Sequence, residues 1–189
     1  MFLLFAVAAA ALYGLGDFSG GYATGKGAVF PVLVVSQAFG LATAALALVA
    51  MRSGPPGSAD LVWGLVGGLA GAFGIAALYR GISRAVVAIV SPTAALLSSI
   101  IPLIAGLALG ERPGMTALVG IGLCVPAIIL LSSSSARTKT DERRVAASLF
   151  YGLAAGIGFG FFYVALSRPG VQSGFWPLVA ARSASVCIA

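Results

Sequence analysis

The stretch LYGLGDFSGGYATGKGA, Leu12–Ala28, has two incompatible readings, and the choice between them decides the fold. Within it, GLGDFSGG suggests a glycine-rich phosphate cradle. Such a cradle follows a strand, opens a helix, and in its nucleotide-loop form closes on a Lys-Ser/Thr pair. Here an unbroken apolar run, FLLFAVAAAA, precedes the glycines and no such pair follows them. The other reading is a membrane-spanning helix, with glycines as a packing or hinging face and Asp17 as an acid set in hydrocarbon.

Composition decides for the bilayer. Of 189 residues, 60% are hydrophobic and 8% charged, with five acids against eleven bases. A soluble domain carries about 25% charged residues, because its surface must face water. The net charge of +6 is scattered over short polar breaks and forms no dense patch, so nucleic acid is not an expected partner. Histidine is absent. Cys124 and Cys187 lie in apolar runs without metal or redox spacing and read as small core residues. No metal or cofactor is expected. The opening lacks a basic n-region, so no cleavable signal peptide is expected.

A spanning helix needs about 20 mostly apolar residues. The sequence contains six full-length apolar segments, Phe2–Thr24, Phe30–Met51, Leu61–Ile82, Ala85–Leu109, Met115–Leu131 and Ala146–Leu166, and a partial seventh, Phe175–Ala189. Turn chemistry separates them, as in RSGPPGSAD, GERPG and SRPGVQSG. The polar break Ser132–Arg144, SSSSARTKTDERR, reads as a linker between two halves, giving units 1–131, 132–145 and 146–189. The seventh run stops before it has spanned, so further helices are expected beyond Ala189. A weak internal echo supports two halves. Tyr13-Gly14-Leu15 recurs as Tyr151-Gly152-Leu153, and the second and seventh segments both open on a proline, Pro31 and Pro177. The copies are offset by five segments, an odd number, so the second copy is inverted in the membrane, as in inverted-repeat transporters.

Glycines recur at spacing four: Gly16 and Gly20, Gly21 and Gly25, Gly64 and Gly68, Gly67 and Gly71, then Gly152, Gly156 and Gly160. In lipid, close approach through small residues supplies packing that the hydrophobic effect cannot. Pro92 and Pro102 each free a carbonyl one turn back, and Ser91, Thr93, Ser98 and Ser99 are expected to serve such groups. Charge within the bilayer is the stronger signal, because an ionised group there costs about 2.5–3.5 kcal/mol on insertion scales. Asp60, Asp141 and Glu142 read as loop residues, and Glu111 as a turn residue paired with Arg112 or a neighbouring loop. Asp17 alone among the acids sits well inside an apolar run. Tyr13, Asp17, Gly20 or Gly21, and Thr24 form one helical stripe; Ser36, Gly40 and Thr43, with Gln37 beside them, form another. Arg182 is the intramembrane base of the seventh segment. The acid and base either pair with each other or hold oppositely charged substrate groups. The competing reading of Asp17 is a near-interface residue about two turns from Lys26, snorkelling or capping a broken helix. Arg80 and Arg84 read as interfacial anchors.

Three stretches carry a resemblance. LYGLGDFSGGYATGK resembles the opening helix of the EamA-type family of the drug/metabolite transporter superfamily. ALYRGISRAVVAIVSPTAALLSSIIPLIAGLALGERPG, Ala77–Gly114, resembles that family's third helix, tight turn, proline-containing fourth helix and closing Gly-Glu. FWPLVAARSAS resembles the start of a repeat's second helix, where a proline followed by an arginine is usual. The resemblance implies an all-α transmembrane bundle, ten helices as two inverted repeats of five, of which this chain holds six and part of a seventh. It also implies transport of a small metabolite, an amino acid-like compound or a drug through a central cavity, coupled to an ion gradient or to exchange. The first repeat departs from the pattern with Ser36 and Gln37 where an arginine is often found, and Asp17 stands where many members are uncharged.

The expected protein is therefore an integral protein of the cell membrane, a secondary exporter or permease working by alternating access. Its expected partners are a small-molecule substrate, the bilayer and a proton or ion, with homo-oligomerisation left open. The first, third, fourth and sixth segments are expected to line the cavity, with Asp17, Tyr13, Gln37, Tyr79, Ser91, Ser98, Tyr163 and Arg182 as candidate site residues. A membrane-embedded lipid or isoprenoid enzyme is the alternative, but paired acids or His/Cys ligands are missing for it. A non-transporting assembly subunit would use the glycines and leave Asp17 unexplained. Orientation stays open: three bases on the N-terminal side against seven opposite put the N-terminus outside, whereas the resemblance puts it inside.

Overall fold

The structure is a computed structural model that describes residues 2–51, 54–116, 118–120, 122, 123, 126, 130 and 141–188. Among them every regular element is helical: α1 (Phe2–Lys26), α2 (Val29–Ala50), α3 (Ser58–Arg84), α4 (Val87–Ala108), α5 (Glu142–Leu166) and α6 (Trp176–Ile188), with a short 3₁₀ turn at Val171–Ser173. The first five are long and apolar enough to cross a membrane, and they make the chain an integral membrane helical bundle. The described residues of the fifth apolar segment, from 115 to 130, are helical as well. The linker Ser132–Arg144 lies outside the described residues up to 140.

Several boundaries differ from those read in the sequence. The SR pair at Ser83-Arg84 is the last of α3, and the turn falls on Ala85 and Val86. Three acids assigned to loops belong to helix starts. Asp141 is the N-cap of α5, its carboxylate accepting from the Arg143 N–H at 3.3 Å, and Glu142 opens that helix. Asp60 lies in the first turn of α3 and accepts from the Gly57 N–H at 3.2 Å. Each places an acid against the positive end of a helix dipole, a pull that a count of apolar residues does not register.

Helix α3 is the centre of the bundle and packs against α1, α4, α5 and α6; α4 lies along α5, and α6 along α2. Its glycines serve two faces. A Cβ on Gly64 or Gly68 would strike the backbone of Pro177 or Ala181 in α6, whereas Gly67, Gly71 and Gly74 face α5. Gly158 of α5 lies directly on Gly74 of α3, backbone to backbone. The ladder Gly152, Gly156 and Gly160 runs along α4 at Val90 and Thr93, Ala94 and Leu97, and Ile101. Gly20 and Gly21 admit Tyr79 and Ile82 of α3, while Gly16 faces open space and Gly25 has only loose contact with Ser83. The spacing-four pattern thus marks true contact for most pairs, and for α1 only at its second half.

Both prolines of α4 lie inside a helix that continues past them. The nearby hydroxyls do not serve the carbonyls of Ala88 and Ser98 that the prolines free. Thr93 donates to Ile89 at 2.7 Å, and Ser98 and Ser99 donate to Ala95 at 3.0 and 2.9 Å. Back-bonding within a hydroxyl's own turn is the nearer option, and it wins. α4 ends on Gly110 at φ 86°, with the Glu111 N–H reaching Gly106 O at 2.9 Å and the Gly110 N–H reaching Leu107 O at 3.0 Å. These two bonds satisfy terminal carbonyls as a Schellman cap. The Glu111 carboxylate folds over Gly106 and forms no ion pair with Arg112 among the described residues. Cys187, expected in the core, is exposed on α6; Cys124 lies outside the described residues.

Candidate functional site

A half-open cavity of about 250 Å³ lies between all six helices. α1 contributes Tyr13 and Asp17, α2 Gln37, α4 Ser91 and Ser98, α5 Tyr163 and α6 Arg182. Seven of the eight candidates therefore meet around one space, although they span the chain from residue 13 to residue 182. The eighth, Tyr79, does not line it: its ring is buried at the α1–α3 contact over Gly20. The second and seventh segments join the four expected to line the cavity.

Local sequence explains each placement. α1 runs unbroken from Phe2 to Lys26, so GLGDFSGG forms no loop and Asp17 caps no helix break. Asp17 lies nine positions before Lys26 on the unbroken helix, a rise of about 13 Å. Thr24 bonds back to the Gly20 carbonyl at 2.8 Å, and the Gly20–Gly21 step turns this face of α1 onto α3. Asp17, one turn earlier, then overlooks the cavity. No hydrogen bond or ion pair with another described residue holds its carboxylate.

Arg182 is held firmly. Its Nη1–H donates to Gln37 Oε1 at 2.7 Å, and Gln37 is buried, 2% exposed. The arginine stem crosses Gly40, where a Cβ would stand 3.2 Å from both Cδ and Nε. Among the described residues Arg182 pairs with no acid, so the Asp17–Arg182 pairing is not formed here. Of the α2 stripe, Gln37 and Gly40 meet α6, whereas Thr43 is exposed and bonds to its own helix. Arg80 lies 5.5 Å over the Phe30 ring, away from the cavity.

Reading the sequence missed Ser185 and the apolar walls. The Ser185 hydroxyl donates to Gly68 O at 3.0 Å and Ala181 O at 2.9 Å, tying α6 to the glycine face of α3. Its position three residues after Arg182, on the same helical face, was the available signal. Ile75, Leu78, Phe159 and Phe162 supply the apolar lining, and nothing distinguishes them in a sequence so rich in such residues. No group of three or more metal-ligating side chains occurs among the described residues. An apolar chamber with a few convergent polar groups is the usual form of a small-molecule site. No family model matches the chain, and neither a curated protein nor a solved structure matches it.

Proposed function

We propose that this protein is a secondary transporter of a small metabolite or drug, of the EamA-type ten-helix, inverted-repeat design, and that it works by alternating access with Asp17 as a proton or cation site. The observation that carries this reading is the cavity itself. It joins residues from six helices, and it brings an acid and a base to one space with no ion pair between them among the described residues. Intramembrane ionisable groups facing a cavity mark substrate or ion pathways in transport proteins. Glycine contacts on both faces of α3 let α5 and α6 approach closely around the cavity. The scattered acids argue against metal-assisted lipid chemistry.

The test is solute flux in proteoliposomes holding the full-length protein, with a panel of radiolabelled amino acids and small metabolites, with and without a proton gradient. Asp17→Asn is expected to reduce gradient-driven flux at least tenfold while leaving folding intact. Flux that keeps its rate, pH dependence and substrate affinity in that variant rules out the role given to Asp17.

A further inference from the structure

We propose that the cavity selects an organic monoanion with an apolar body, its anionic end taken by Arg182, and that Gln37 and Gly40 are positioning residues for that arginine. This rests on the reading of the cavity as a substrate site and adds the class of substrate.

The argument starts from the two charges. A guanidinium has five N–H donors and keeps its charge at any relevant pH. Among the described residues only one donor of Arg182 is committed, to a neutral amide oxygen. Among the described residues no acid pairs with the remaining charge, and in a chamber walled largely by apolar side chains that charge favours an anionic partner. Asp17 differs in kind. A carboxylate can become neutral by taking up a proton, and no neighbour fixes this one in place. The permanent, oriented charge of the cavity is therefore positive.

The positioning is equally specific. Gln37 anchors one edge of the guanidinium, and the missing side chain at Gly40 leaves the channel in which the arginine stem lies. An anchored planar fork presents its other edge to a planar carboxylate with little further loss of freedom. Around it, Ile75, Leu78, Phe159 and Phe162 offer an apolar wall suited to the rest of the molecule. The cavity volume of about 250 Å³ accommodates a solute of benzoate size.

Equilibrium binding to the purified full-length protein tests this with three probes of nearly one shape: benzoate, neutral benzamide and cationic benzylamine. Benzoate is expected to bind at least tenfold more tightly than benzamide, and benzylamine is expected not to displace it. Gln37→Glu places a carboxylate against Arg182 and neutralises it, so benzoate affinity should fall at least tenfold while benzamide affinity stays within threefold. Gly40→Leu, which moves the guanidinium without removing its charge, should produce the same selective loss. If either variant fails to fold, Arg182→Gln supplies the same comparison. Equal affinity for benzoate and benzamide, preference for benzylamine, or no binding of any probe overturns the proposal. Selective benzoate binding without flux of any solute would leave the site standing and remove the transport reading. Flux that responds to Asp17→Asn in a protein indifferent to benzoate would do the reverse.

Discussion

At the residue scale, what a position tolerates is set by backbone and neighbours rather than by residue type. Gly110 closes α4 at φ 86°, in the left-handed region where a Cβ meets the following carbonyl. Gly110→Ala is expected to destabilise the protein by about 1–2 kcal/mol, read as a lower melting temperature in detergent, although nothing surrounds the added methyl. The same scale shows what was legible beforehand. Asp17 and Arg182 stood out because ionised groups are rare in apolar runs, and the cavity serines and tyrosines stood out because polar atoms there need a reason. The Gln37–Arg182 bond was not legible, since it depends on how two helices whose residues lie 145 apart come to face each other. Nor were the hydroxyl partners in α4, where several carbonyls compete within one turn. Tyr79 instead fills the gap above Gly20, a contact between two helices that the sequence does not display.

At the element scale, α3 shows how a helix with two glycine-bearing faces organises a bundle. Its glycines let α5 and α6 approach to backbone contact on two faces, so adding a methyl has opposite effects at different positions. Gly68→Ala drives a Cβ into the Ala181 backbone and is expected to cost about 1–3 kcal/mol by overpacking. Gly16→Ala in α1 meets nothing within 4 Å and is expected to be neutral or to stabilise by up to about 1 kcal/mol through helix propensity. Thermal unfolding of both variants in one detergent checks the contrast. α4 and α5 add a second device: the buried Ser148 hydroxyl of α5 accepts the Val86 N–H at 3.0 Å and donates to Arg144 O at 2.6 Å. A side chain from one helix thus completes the start of another, where an N–H would otherwise lack a partner.

At the scale of the whole molecule, Asp60 joins parts of the chain far apart in sequence. It receives the Gly170 N–H at 3.3 Å and the Ser173 hydroxyl as well as Gly57, while the Trp176 indole N–H donates to Gly54 O at 2.8 Å. The α2–α3 and α5–α6 connections are thereby fastened on one side of the bundle. Asp60→Asn is expected to raise amide hydrogen exchange severalfold in residues 54–57 and 170–173 and to leave the interior of α3 unchanged. The position of α6 against both α2 and α3 has a further consequence, for the order in which the protein is made. α2 and α3 leave the ribosome in succession, yet the place between them belongs to a helix that begins at Trp176. At about 5–20 residues per second, α6 follows the end of α3 by roughly 5–20 s. Over that interval lipid must occupy the slot. Completing the bundle is then an exchange of acyl chains for a helix, and an insertion partner that kept α2 and α3 apart would speed it.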